Sequence, residues 1–205
     1  MDEWYVRLSQ RCSRAMVAGE TLCERILQTA SEMLTDRGYI VNASVPEMVR
    51  NITEGVPAMK TVDAHGGQCL LYFDREDRTG VKTVRTLIDS NPGSEIVIVA
   101  IDGVTPFARK EFCNVDYVHF FNAKELIHNV TKHSMVPKHE AIPTEEVAIT
   151  SKRYCVSGNQ WPVILSSDPV VRYYGWVPNT IVRIYRKGLT QDEHIFFRRV
   201  VRATA

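Results

Sequence analysis

The sequence predicts an α/β chain, α+β overall, in two domains. Three observations predict it. Segments of helical and of strand period alternate through the first two thirds of the chain. One strand, Glu95-Ile96-Val97-Ile98-Val99-Ala100-Ile101, is nearly all apolar, as expected of a strand covered on both faces. A Pro- and His-rich segment, Lys132 to Thr144, interrupts the pattern and reads as a linker. The domains are therefore residues 1–132 and 133–205.

Taken in order, Leu22, Ile26, Ala30, Met33 and Leu34 recur at helical spacing, and Gly38 stops that helix. Ser44-Val45-Pro46-Glu47 reads as a capping box opening a short helix through about Ile52. Lys60–Ala64 and Cys69–Phe73 are strands joined by the turn His65-Gly66-Gly67. Val81–Asp89 is a helix, followed by the apolar strand. Thr105 and Pro106 supply the N-cap and first position of the next helix. Tyr117–Phe121 is a strand, and Asn122 to Glu125 caps a short helix. Beyond the linker, a helix runs over Glu145–Arg153 and a loop over Gly158–Pro162. Asp168-Pro169 opens a short helix that Gly175 closes. Thr180–Arg186 and His194–Val201 are the last strands.

Length, 205 residues, and composition, 44 % hydrophobic and 24 % charged, are those of an ordinary globular protein. Apolar runs are too short to span a bilayer, and the acidic start Met1-Asp2-Glu3-Trp4 is unlike a secretory signal, so no membrane partner is expected. Five scattered cysteines (Cys12, Cys23, Cys69, Cys113, Cys155), never in C-x-x-C, point to free thiols in a reducing compartment. The triplets at Asn51 and Asn129 match the glycosylation pattern by chance.

Charge is unevenly split. Residues 1–149 carry 16 basic and 21 acidic side chains, and residues 150–205 carry 9 and 3. The basic end therefore faces something acidic, protein or nucleic acid. The acidic part cannot grip DNA through bulk charge, so any DNA contact there is local and weak.

The stretch from Glu125 to Gly175 is the most specific feature. It reads Glu125-Leu126-Ile127-His128-Asn129-Val130-Thr131-Lys132-His133, then Met135-Val136-Pro137-Lys138-His139, then Asp168-Pro169-Val170-Val171-Arg172-Tyr173-Tyr174-Gly175. These blocks resemble the C-terminal assembly domain of RNA polymerase common subunit five, a domain that archaeal polymerases also possess. Upstream, Asp36-Arg37-Gly38-Tyr39-Ile40-Val41, Gly80-Val81-Lys82-Thr83 and Gly103-Val104-Thr105-Pro106-Phe107-Ala108 resemble weaker blocks of the same family.

The resemblance implies an N-terminal α/β jaw domain with a central sheet and a small C-terminal two-layer α/β assembly domain. It implies a non-catalytic subunit that docks on the largest polymerase subunit and on neighbouring small subunits. The jaw would lie beside downstream duplex DNA, in weak and sequence-independent contact. The implied interface residues are His133, Val136, Pro137, His139, Pro162, Asp168, Pro169, Arg172, Tyr173 and Tyr174. The implied DNA-proximal residues are Lys82, Thr105, Pro106, Phe107, Arg109 and Lys110, with Arg85 as a neighbour. Departures are Val163 in place of an arginine, Val171 in place of a small residue and Phe107 in place of a serine. Gly188 to Glu193 also replaces a family segment. Such divergence fits a copy carried by a large cytoplasmic DNA virus, placing the protein in host cytoplasm and virion, or in the nucleus if it is cellular.

No catalytic residue, metal or cofactor is expected. His128, His133 and His139 lack the companions of a zinc site and read as structural histidines. A restriction-endonuclease-like jaw raises metal-dependent nuclease activity as an alternative, but the [DE]-x-K element of that chemistry occurs nowhere, and Asp63, Asp74 and Asp102 are scattered. A free-standing DNA-binding regulator is the other alternative, and it would need a basic face.

Overall fold

The computed structural model describes residues 22–74, 76, 78–113, 115–187 and 193–202, with the side chains of Lys187 and Glu193 excepted. Cys12 and most of the Gly188–Glu193 departure lie outside the described residues. The chain forms two compact units that divide between His128 and Asn129.

The first unit is a five-stranded sheet in the order β1 (Tyr39–Ile40), β2 (Met59–Asp63), β3 (Gln68–Phe73), β4 (Glu95–Ala100) and β5 (Val118–Asn122). The first three strands are antiparallel, whereas β3, β4 and β5 run parallel. Parallel neighbours need crossovers. These contain α3 (Val81–Ser90) and α4 (Pro106–Phe112), which pack Val84 and Phe112 onto Leu70, Ile96, Ile98 and Val118. Helix α1 (Leu22–Asp36) buries Ile26, Leu27, Ala30, Met33 and Leu34 and packs beside α2 (Val45–Glu54) and the 3-10 turn Ala123–Leu126. Burying each of the large side chains contributes about 1.5–3 kcal/mol. Strand β4 is buried at every position after Glu95, which is why its sequence is apolar without alternation.

The second unit is a four-stranded sheet in the order β6 (Lys138–Ala141), β8 (Ile181–Lys187), β9 (Glu193–Val201) and β7 (Val163–Leu165). Because side chains alternate, β8 feeds two clusters. Val182 and Ile184 meet Ile164, Val200 and Val171 of α6 (Pro169–Tyr174). Ile181 meets Ile142 and Trp161, with Val147 of α5 (Thr144–Tyr154) and Phe197 against them. Each face of this small sheet thus carries one helix.

Two expectations need correcting. The Lys132–Thr144 linker contains strand β6. Its Lys-His-Glu-Ala sequence has no strand propensity, and antiparallel pairing with β8 imposes the conformation. Ser44 stands at the N-cap of α2, yet its side chain makes no cap bond. Pro46, at N2, has no N–H to cap, so the hydroxyl has less to gain there. Strands β1 and β7, two and three residues long, are too short to leave a period-2 signal.

Candidate docking and DNA-facing surfaces

In the second unit, α6 is built by its own sequence. The Asp168 carboxylate accepts the Val170 N–H at 2.9 Å, Pro169 occupies the first turn, and Gly175 ends the helix at φ 68°. That short helix places its aromatic residues differently. Tyr173 is 3 % exposed, and its hydroxyl accepts a 2.9 Å hydrogen bond from the Asn129 amide. Tyr173 thus acts in internal packing. Half-buried Tyr174 stacks on Trp176 with centroids 4.6 Å apart and planes 10° from parallel. Arg172 is half-buried, while Asp168 and Pro169 sit at the helix start. Pro162 is exposed at the head of β7.

His133, Val136 and Pro137 line an open cleft of about 810 Å³ together with Ser134, Met135, Lys138, Tyr185 and Arg186. The His133 ring Nδ1 accepts the Met135 N–H at 3.2 Å, and the His133 carbonyl accepts the Val136 N–H at 2.9 Å. The His139 Nδ1–H donates to the Pro137 carbonyl at 2.7 Å. Burial pushes the His139 pKa below its ordinary value, against the opposing pull of that bond and of Asp168; Arg186 and Arg198 push it down further. Two of the three histidines are therefore fixed by local backbone, and His128 is exposed.

The same unit holds residues that sequence reasoning passed over. Arg183 reaches Glu146 at 2.7 Å and Glu140 at 3.6 Å, and the Tyr185 hydroxyl donates to Glu140 at 2.7 Å. No local motif marks these partners, because strand register brings them together: Glu140 lies opposite Arg183.

In the first unit, the Thr105 hydroxyl accepts the Ala108 N–H at 3.4 Å, and Pro106 starts α4. Gly103 precedes it at φ 81°, and a Cβ there would stand 2.6 Å from the Asn122 side-chain oxygen, so any other residue would be strained and would displace Asn122. The cap uses one of the first N–H groups and Pro106 has none. The phosphate-seeking character of this helix start is correspondingly small. Exposed cations remain: Lys82, Arg109 and Lys110. Phe107 is 80 % exposed among them. Arg85 is ion-paired to Glu111 at 2.6 Å, which joins α3 to α4.

One polar constellation of this unit is internal. Arg37, just past α1, donates to Glu95 at the head of β4, and the Tyr39 hydroxyl donates to the same carboxylate at 2.5 Å. His119 of β5 stands 3.2 Å from it. Burial alone would raise the Glu95 pKa. Hydrogen bonding to His119, the Arg37 charge and the Tyr39 bond together overcome that and hold it at about 2. The nearby Cys69 thiol is pushed up to about 12, by burial first and then by Glu95. The Asp-Arg-Gly-Tyr block thus has a structural task. Asn51 and Asn129 likewise spend their amides internally, on the Ala58 carbonyl and on Tyr173. Asp63, Asp74 and Asp102 lie at strand ends and loops, and the Asp63 carboxylate accepts the His65 and Gly67 N–H groups at 2.8 and 2.7 Å.

Comparison with known proteins gives this arrangement its family. Residues 128–200 match the family described as RNA polymerase Rpb5, C-terminal domain. Subunit rpabc1 of DNA-directed RNA polymerases I, II, and III from Dictyostelium discoideum is 31 % identical over 186 residues, covering 85 % of this chain and 94 % of that protein. The RPABC1 subunits of Caenorhabditis briggsae and Caenorhabditis elegans are each 30 % identical over 200 residues, covering 86 % of this chain and 94 % of theirs. The chain belongs to the RNA polymerase Rpb5 family, a family of non-catalytic structural subunits of DNA-directed RNA polymerase.

Proposed function

We propose that this chain docks on the largest subunit of a multisubunit DNA-directed RNA polymerase, and on neighbouring small subunits, through its second unit. The observation that carries the reading is where the family match falls: residues 128–200 coincide closely with the unit beginning at Asn129. The docking residues are His133, Val136, Pro137, His139, Pro162, Asp168, Pro169, Arg172 and Tyr174, with Tyr173 positioning its neighbours from the core. Interfaces draw on Arg and aromatic anchors of this kind.

The first unit is the jaw. Lys82, Arg109 and Lys110, with Thr105, Pro106 and Phe107 between them, face downstream duplex DNA. A few exposed cations contact phosphates and leave bases unread, so the contact is weak and indifferent to sequence. The departures at Phe107, Val163 and Val171 support a divergent copy from a large cytoplasmic DNA virus, resident in host cytoplasm and packaged in the virion.

The test is purification of the tagged full chain from its source cells after nuclease treatment, with mass spectrometry of what remains bound. The expected outcome is the largest polymerase subunit in equimolar amount, with small subunits beside it. Recovery of the chain alone would defeat the docking reading. Immunodetection in purified virions checks the source, and enrichment in nuclei of uninfected cells would overturn it.

A further inference from the structure

The cleft beside β6 has a chemistry of its own. Among the described residues, strand β6 pairs with β8 on one side only, which makes it the edge of its sheet. An edge strand offers backbone N–H and C=O groups to an incoming extended chain. At the rim, Met135 is 82 % exposed and offers an apolar side chain to whatever lies along this edge. Val136 and Pro137 continue the apolar wall.

The charge around this edge is mainly positive. Lys138 Nζ lies 5.5 Å from the centre of the Tyr185 ring on the cleft wall. Arg186, also on the wall, extends over the ring of Phe196, 5.3 Å from its centre. By strand register, Arg198 shares the face of Arg186, because Val182 stands opposite Arg198 and Ile184 opposite Phe196. Among the described residues, neither Arg186 nor Arg198 is ion-paired with a carboxylate. The nearby acids are occupied. Glu140 takes the Tyr185 hydroxyl and lies 3.6 Å from Arg183, and Asp168 caps α6.

We infer that this cleft seats an extended acidic peptide segment of a polymerase subunit, laid along the open edge of β6. Its carboxylates meet Lys138 and Arg186, Arg198 adds to the positive field two strands in from the edge, and an apolar side chain of the segment covers Met135. The inference deepens the docking reading and rests on it. Nucleic acid is the poorer occupant. Two lining cations neutralise few phosphates, and Arg186 already covers Phe196, the aromatic surface a base would stack on.

The experiment installs p-benzoylphenylalanine at Met135 in the full chain. The polymerase complex is purified and irradiated, and the crosslinked material is sequenced. The expected adduct is a peptide of another polymerase subunit in which Asp and Glu outnumber Lys and Arg. Lys138→Glu combined with Arg186→Glu should lower its yield at least about fivefold, since like charges across an interface repel. Both positions are exposed, so the unfolding midpoint of the double variant should stay unchanged, separating loss of docking from loss of fold. An adduct without acidic excess overturns the inference. So does an adduct to nucleic acid, no adduct in a complex that contains the chain, or a yield indifferent to the double reversal. In each of those cases the polymerase reading stands. Absence of the chain from the complex defeats that reading first, and this inference with it.

Discussion

The first unit hides a cluster of charges, and the second displays its own. Arg37, Tyr39 and His119 close on Glu95 beneath the surface, and the Arg37 side chain is only 3 % exposed. Lys138 and Arg186 line an open cleft, and Arg198 lies half-buried on the same sheet face as Arg186. The difference teaches where selection for docking acts on a scaffold. A buried ion pair is satisfied by its own chain and has nothing left to offer a partner. Unpaired surface cations contribute almost nothing to the fold and are available for binding. The C-terminal-domain match falls on the displayed unit, while likeness to the whole relatives covers 85–86 % of the chain and so extends into the first unit.

The largest effect expected is on the hidden set. Arg37→Ala leaves the Glu95 carboxylate without its cation in a partly closed site, and breaking such a pair costs about 3–5 kcal/mol. Urea unfolding of the full chain measures it. A loss under about 1 kcal/mol would mean that Tyr39 and His119 suffice, and the contrast between the units would weaken.

Next comes acid. The Glu95 pKa is depressed, from an ordinary 4.5 to about 2. A depressed carboxylate contributes stability that is fully present above 4.5 and is lost as pH falls through 2. The loss should be on the order of 3 kcal/mol. Glu95→Gln lacks this contribution, so the stability gap between it and the unmodified chain should narrow from pH 6 to pH 2. A gap constant across that range would remove Glu95 as the acid-sensitive group.

The α6 cap sharpens the comparison from the other side. Asp168→Ala should cost about 1 kcal/mol, the usual worth of an N-cap. The same substitution removes the acid that faces His139 and should lower the pKa of that histidine further. NMR titration of the His139 ring reads this, and an upward shift would contradict the electrostatic account.

The cap is legible in the sequence because its parts are adjacent: Asp168, Pro169 and Gly175 lie within eight residues. The same locality makes α1, α3, β4 and α4 readable. What cannot be read depends on distant pairing. Strand β6 exists because β8 is beside it. Glu95 meets Arg37 across 58 positions of sequence, and Arg183 meets Glu146 across 37. Tyr173 reads from sequence as a surface anchor because composition cannot tell the two faces of a one-turn helix apart. Its neighbours Val171 and Val170 are buried with it, and Tyr174 is the residue left at the edge.

The smallest effect on the fold is expected at the proposed DNA-facing end, which makes it the cleanest test of that role. Arg109 and Lys110 are exposed, on a helix whose cap and first turn do not involve their side chains. Reversing both to Glu should leave stability within about 0.5 kcal/mol, as surface substitutions usually do. It should also leave assembly intact, since the proposed docking residues lie in the other unit. Four units of charge nonetheless change beside a polyanion, so crosslinking of the engaged polymerase to downstream DNA should fall, and fall most at low salt. Arg85→Ala is the matched control. It removes a cation already neutralised by Glu111 at 2.6 Å and should change DNA crosslinking far less. If the double reversal and the control behave alike, α4 does not face DNA. The first unit would then be a scaffold whose charges, buried and exposed alike, serve only itself.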